Sequence, residues 1–447
     1  MSRHIIHKQK ITLQIPKRED AHFLQSRISD LLQNELSDKI EATFDKLFPS
    51  DKIIRINSLK LELGDISVQN FENEFKEKFI KELSENLLAQ KDSIDANNTE
   101  ILNGTQSLVS SLIYFLENGS LPWYRTAGKT THWESEMLNA LSANDYDYLL
   151  DWLRDNHLHH PVIVRRLVQQ FSDELLRKLG SAIAPGESWN LVYKDFAFLL
   201  RHHLNTRHIS RDELWEYIFQ GLLTGHANIK NASLDEDDLL RNLKTSTAKN
   251  LIKSPDTIYN NGKELSEGWS RGKEKRWDVT EDTLYVTNCG IVLFHSFLRP
   301  FFEDLKLFKE GKFVNKKAHQ RAVLLLYYLA TGETRVAEFD LSLQKILCGY
   351  ALEDTLPAFI KLTEREKEES EKLLNTVIDY WEPLRNTSID GLRNTFLQRE
   401  GKLVTKENGW LLTVEQKTVD ILLKKLPWGF STIRLPWMDQ LLNVDWY

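Results

Sequence analysis

Thirteen histidines, two cysteines and 65 acidic residues supply raw material for metal or acid–base chemistry, so their spacing decides whether any is built. His157, His159 and His160 form the densest group of metal-type ligands. Neighbours at one- to three-residue spacing diverge around a helix, and no acidic or cysteine partner sits at a ligand interval. His202, His203 and His208 lie among Arg201 and Arg207, whose charge opposes a cation, and read as a solvated basic face. Cys289 and Cys348 flank apolar runs without a partner at ligand spacing, as expected of buried thiols in a reducing compartment.

Two further stretches imitate motifs. Gly128-Lys129-Thr130 copies the end of a phosphate-binding loop, but Trp123 stands where its first glycine belongs, and the preceding segment has helical rather than strand periodicity. Asp235 to Asp238 carries the charge of a calcium loop without its glycine or terminal glutamate, and Ser233 with Glu236 reads as a helix-capping box. Signatures of serine hydrolases, zincins and local Cys/His nucleophile families are absent from the sequence. The expectation is a protein without catalytic, metal or cofactor residues.

The elements that would carry any site are mostly helical. With 41% hydrophobic and 28% charged residues, the chain has globular composition, and 447 residues predict more than one domain. A formal charge of -7 provides no overall attraction for nucleic acid or anionic membrane. The longest apolar run, Ala322 to Ala330, is far short of the roughly 20 residues that span a bilayer. The first eight residues lack a signal peptide's apolar core, so synthesis and folding in the cytoplasm are expected.

The fold class read from periodicity is α+β, predominantly α-helical. Residues 1–90 predict a small β-α-β-α module: strands at Ile11–Ile15 and Leu59–Leu63 alternate polar and apolar, and helices carry Phe23 to Ile40 and Phe71 to Leu87. Residues 91–105 read as a linker, 106–253 as an all-helical middle region, and 254–280 as an exposed connector with basic residues Arg271, Lys273, Lys275 and Arg276. Residues 281–447 predict a C-terminal α domain with a small hairpin or sheet. Its helices are expected near Cys289–Phe302, Lys316–Ala330, Leu341–Gly349 and, from a Thr363/Glu366 capping box, to Trp381. Strands at Lys402–Thr405 and Trp410–Val414 flank Glu407-Asn408-Gly409, a turn suited to positive φ; a helix over Gln416–Lys425 and a short strand at Thr432–Leu435 follow.

Leu-Pro-Trp occurs three times, ending at Trp123, Trp428 and Trp437. Proline fixes its own φ and keeps the preceding residue extended, so each triplet holds a tryptophan at a set angle. Such tryptophans either wedge a core or face a partner, since Trp and Arg are enriched at interface hot spots. Core packing is the expectation for Trp123 and Trp428; Arg434, Trp437 and Trp446 are the better candidates for partner binding, with Trp428 kept beside them.

The run Gly401-Lys402-Leu403, Gly409 to Leu412, Leu426 to Ser431 and Ile433 to Met438 resembles the C-terminal signature of contractile injection system tape-measure proteins. Blocks at His4–Lys8, Ile56–Gly64, Phe115-Leu116 with Gly119 and Leu121-Pro122-Trp123, Asn288–Phe302, Tyr328–Glu333, Lys345–Gly349, Asn386–Ser388 and Phe396–Gly401 are similar to the same family's. The resemblance thins between Glu134 and Val279. It implies a bacterial phage-tail-like particle with tube, sheath and baseplate, in whose assembly the family sets or assists inner-tube length, without catalytic residues. Implied partners are tube, baseplate or cargo proteins of that particle.

A ruler read out in helix would need long uninterrupted periodicity. Eleven prolines from Pro16 to Pro436, and no sustained heptad, predict linked globular modules instead. Two roles are therefore expected: a chain lying within or capping the growing tube, or a folded assembly chaperone or adaptor.

Overall fold

A computed structural model describes residues 4–15, 21–48, 52–92, 98–125, 130–142, 147–156, 160–183, 210–223 and 283–446. The connector Ser254–Trp277, the acidic run Asp235–Asp238 and the pair Gly128-Lys129 lie outside the described residues. The chain divides into two compact units, one of residues 1–108 with 273–278, the other of 109–272 with 279–447.

In the first unit α1 (Ala21–Asp30) continues through a wider turn, Leu31–Glu35, into α2 (Ser37–Leu47), and α3 runs from Phe71 to Asp92. Leu31, Leu36 and Ile40 face Phe75, Leu83 and Leu87 in a shared interior. Phe71, Phe75 and Phe79, four residues apart, stack with centroids 5.7 and 5.9 Å apart. The ladder here is β1 (Ile53–Ile56) antiparallel to β2 (Thr99–Leu102), with Ile53 opposite Leu102.

That pairing differs from the expected one. Ile11–Ile15 and Leu59–Leu63 are not strands, and β2 lies in the stretch expected as linker. Leu59, Leu61 and Leu63 do pack against the interior while their polar neighbours stay outside. Period-2 patterning reports alternate burial of an extended segment; it does not require that the backbone find a ladder.

The second unit begins with helices: α4 (Gly104–Asn118), which belongs to it from Val109 on, α5 (Thr130–Ser142), α6 (Asp147–Asn156), α7 (Pro161–Gln170), α8 (Asp173–Ile183) and α9 (Arg211–Leu223). Pro161 starts α7 at a first-turn position where its missing N–H costs nothing. The later part holds α10 (His295–Asp304), α11 (Lys316–Thr331), α12 (Ser342–Leu347) and α13 (Glu364–Tyr380). Strand β3 (Thr283–Val286) precedes them, and a short hairpin of β4 (Phe308–Lys309) with β5 (Lys312–Phe313) separates α10 from α11. The capping box of α13 is formed: Glu366 accepts from the Thr363 N–H at 2.8 Å, and the Thr363 hydroxyl accepts from the Glu366 N–H at 3.3 Å.

After α14 (Ile389–Leu392) come β6 (Gly401–Lys406), β7 (Gly409–Val414), β8 (Thr432–Ile433) and β9 (Leu441–Asp445). They join β3 in a five-stranded sheet of order β3-β6-β7-β9-β8. The β6–β7 hairpin turns on Glu407-Asn408 as the sequence implied. Gly409 has φ 133°, and a Cβ there would stand 2.2 Å from the Leu441 carbonyl oxygen, so only glycine lets β9 lie parallel beside β7. Strands β3 and β9 were not expected. In β9 the exposed Asn443 and Asp445 alternate with buried Leu442, Val444 and Trp446.

Candidate functional site

Among the described residues no group of His, Cys, Asp or Glu could hold a metal ion. His157, His159, His202, His203 and His208 lie outside them. Both cysteines are free and buried, and desolvation pushes both thiols above their usual range, away from the reactive thiolate. The C-terminal signature is therefore the site to build.

Trp428 and Trp437 of this signature, and Trp446 after it, are each pinned by the indole N–H. Trp428 is half-buried, donates to the Leu293 carbonyl at 2.9 Å, and sets its ring edge-on to Phe297, 4.9 Å away. Trp437 is half-buried, donates to the Leu347 carbonyl at 2.8 Å, and packs against Phe302, Phe308 and Phe313. Its own carbonyl lies over Gly349, where a Cβ would come within 2.3 Å; with φ +61°, Gly349 is doubly restricted to glycine.

Trp446 is 1% exposed and corrects the expectation of an outward-facing anchor. Its indole donates to Asp420 Oδ2 at 3.2 Å, while Asp420 Oδ1 accepts from Arg399 Nη2 at 2.6 Å and the Lys417 N–H closes on Oδ2 at 2.7 Å. Arg399 and Asp420 are themselves buried, and the Arg399 guanidinium stands 6.0 Å from the Trp446 ring centroid. The period-2 burial of β9 carries its inward face on to residue 446, which is why the indole points into the interior.

Only Arg434 among the four candidates is exposed. It borders an open polar cleft with Glu407 and Asn408 of the hairpin turn and with Asp439, Gln440 and Leu441. Among the described residues it has no ion-pair partner. An unpaired guanidinium in a cleft with side-chain amides suits a partner's carboxylate or backbone carbonyls.

Several blocks that carried the family resemblance and lie in the second unit meet one another there. The Cys289 N–H donates to the Arg399 carbonyl at 2.9 Å, a Cβ on Gly290 would fall 1.9 Å from the Phe396 oxygen, and one on Gly401 would fall 2.6 Å from Cys289 Sγ. Lys345–Gly349 touches Trp437 as described above. These blocks are mutual contacts of the interior, and the exposed residues between them form the outer surface.

A buried ionic joint was not anticipated. Arg166 of α7 and Lys345 of α12 converge on Glu338, the first two residues from parts of the chain more than 170 apart in sequence; exposures are 0%, 1% and 0%. Arg166 Nε lies 3.2 Å from Glu338 Oε1; its Nη1 bonds the carbonyls of Leu116 and Glu117 at the end of α4, and Nη2 reaches the Glu353 carbonyl at 2.5 Å. Lys345 Nζ donates to Glu338 Oε1, Leu352 O and Asp354 O at 2.7 to 2.8 Å, using all three protons. Gln170 adds an amide bridge, accepting from the Glu338 N–H at 2.8 Å and donating to the Leu356 carbonyl at 2.6 Å. Gly119, at φ +71°, covers the joint: a Cβ there would sit 2.8 Å from Glu338 Oε1. Burial draws the Lys345 pKa down despite the adjacent carboxylate. The available signal was charge inside apolar runs, Arg166 between Val164 and Leu167 and Lys345 between Leu343 and Ile346.

No helix among the described residues is long and apolar enough to cross a membrane. A family model described as contractile injection system tape measure protein matches residues 3–446. No curated protein and no solved structure matches the chain.

Proposed function

Because the chain belongs to the contractile injection system tape measure protein family and is thus an assembly protein of such a particle, we propose that it does this work folded. In this reading it sets or assists inner-tube length by docking on tube, baseplate or cargo proteins through the C-terminal module, with Arg434 at the contact, and catalyses no reaction. The observation that supports folded action is the joint at Glu338. Stretching the chain would separate Arg166, Glu338 and Lys345 and expose an interior that runs from Leu112 to Trp446. The longest helix among the described residues, α3 with 22 residues, would span only about 33 Å at 1.5 Å per residue.

Particle length measured by electron microscopy tests this. A 30-residue Gly-Ser insertion between residues 143 and 146, which connect α5 and α6, would lengthen a particle read out by stretched chain by about 45 Å or more. Folded action leaves length unchanged. Arg434→Ala is expected to lower particle yield with the fold intact, and wild-type yield from that variant removes Arg434 from the contact.

A further inference from the structure

The same unit carries a second surface, unrelated to the Arg434 cleft. At the end of α13 the side chain of Tyr380 is 63% exposed, although Trp381 beside it is fully buried and donates to the Leu422 carbonyl at 3.1 Å. Next to Leu422, Ile421 is 60% exposed. Tyr380 continues inward through Phe297, 6.4 Å away, to Trp428, a further 4.9 Å on. Tyr380 is the apolar anchor: its ring stands open on a rigid, tryptophan-pinned base, whereas Ile421 is followed at three and four residues by the exposed Lys424 and Lys425.

The charge beside Tyr380 names the occupant. Along the exposed face of α13 lie Glu368, Glu371, Asn375 and Asp379 at three- and four-residue spacing, followed past the helix end by exposed Glu382. The basic residues of the same helix are engaged: Lys367 with Glu364 at 2.8 Å, Lys372 with Glu369 at 3.3 Å, and Arg365 with the Asp304 carbonyl. Among the described residues Glu368, Glu371, Asp379 and Glu382 make no ion pair. The carboxylates cover about 16 Å of helix from Glu368 to Asp379, at 1.5 Å per residue, and end at the aromatic surface.

We propose that this face docks a basic amphipathic segment of another protein, with Lys or Arg along α13 and one large aromatic or aliphatic residue on Tyr380. The carboxylates steer and register the segment, and the apolar end supplies the buried contact. The same charge repels nucleic acid and anionic lipid.

The test uses the full chain and a labelled 12-residue peptide alternating Lys and Leu and ending in Trp, read by fluorescence anisotropy in 0.15 M salt. A control peptide of equal charge has Ser in place of Leu and Trp. The apolar peptide is expected to bind at least tenfold more tightly than the control. Tyr380→Ser should weaken it about tenfold, and Glu368→Gln with Glu371→Gln and Asp379→Asn should weaken it as much while flattening the salt dependence. Arg434→Ala should leave it unchanged. All substituted side chains are exposed, and unaltered urea unfolding verifies the fold. Equal binding of both peptides, no binding of either, or variants that bind like wild type overturn the proposal. None of these outcomes bears on particle length, which tests the assembly role separately.

Discussion

Removing the Glu338 carboxylate is the sharpest perturbation the structure offers. Two fully buried cations share it: Arg166 approaches both its oxygens at 3.2 and 3.3 Å and Lys345 one at 2.7 Å. In Glu338→Ala both charges keep only carbonyl partners in a fully buried site. Breaking a buried pair by deleting one partner costs about 3–5 kcal/mol, and two cations on one anion put this site toward the upper end. Lys345→Met fits a hydrophobic chain of similar length into the same space and should cost less, about 1–3 kcal/mol, chiefly for the unpaired Leu352 and Asp354 carbonyls. In the double variant the worst consequence of the first change, an uncompensated Lys345 ammonium, is gone. The combined loss should therefore fall short of the sum by about 1–3 kcal/mol. Urea unfolding followed by tryptophan fluorescence measures all three, and the joint further requires that α7 lose amide protection together with α12 in Glu338→Ala. A loss under 1 kcal/mol, or strict additivity, refutes the reasoning.

Burial and the neighbouring Glu333 push the Asp340 carboxyl up to about 7 from 3.8. The folded chain then binds the proton more tightly than the unfolded one, so stability falls as pH rises from about 4 to 7 and stays reduced above. Asp340→Asn should consequently gain on the order of 2 kcal/mol over wild type at pH 8 and little at pH 4, in parallel urea titrations. Gly349→Ala meets both a φ of +61° and the Trp437 oxygen at 2.3 Å, and should lower stability by about 2 kcal/mol or more in thermal unfolding. Trp446→Ala should cost about 3–5 kcal/mol by leaving a cavity and removing one of the two donors to Asp420 Oδ2, whereas Arg434→Ala should stay within about 0.5 kcal/mol on the same assay. Trp437→Ala belongs with Trp446, because its ring is packed among three phenylalanines.

The helices of the later half were legible because their signals are local. Thr363 with Glu366 opens α13, Asn315 caps α11 by accepting from the Ala318 N–H at 2.9 Å, and Gly332 closes it at φ +78°. The β6–β7 hairpin was legible for the same reason. What escaped depends on residues far apart in the chain. β3 becomes a strand by pairing Thr283 with Val404, and β1 by pairing Ile53 with Leu102; neither four-residue stretch declares its partner. At the site, the Leu-Pro-Trp pattern correctly marked tryptophans held at fixed corners, yet it could not say which way they face. That direction is set by acceptors such as the Leu347 and Leu293 carbonyls, which lie 90 and 135 residues away. The ionic joint at Glu338 left only charges inside apolar runs as its trace, since a buried charge looks like an exposed one until its partners are known.

The position of β9 has a consequence for the order of events in the cell. It is the last strand in sequence of the five, yet it sits inside the sheet, between β7 and β8. A nascent chain that has emerged only as far as β8 therefore leaves β7 with an open edge bearing Trp410, Leu411 and Leu412, and leaves β8 with nothing to pair to. Closure must wait for residues 441–446, and the arrival of Trp446 at Asp420 is the step that seals it. Until they arrive the sheet keeps a sticky edge, open to wrong pairing with other chains.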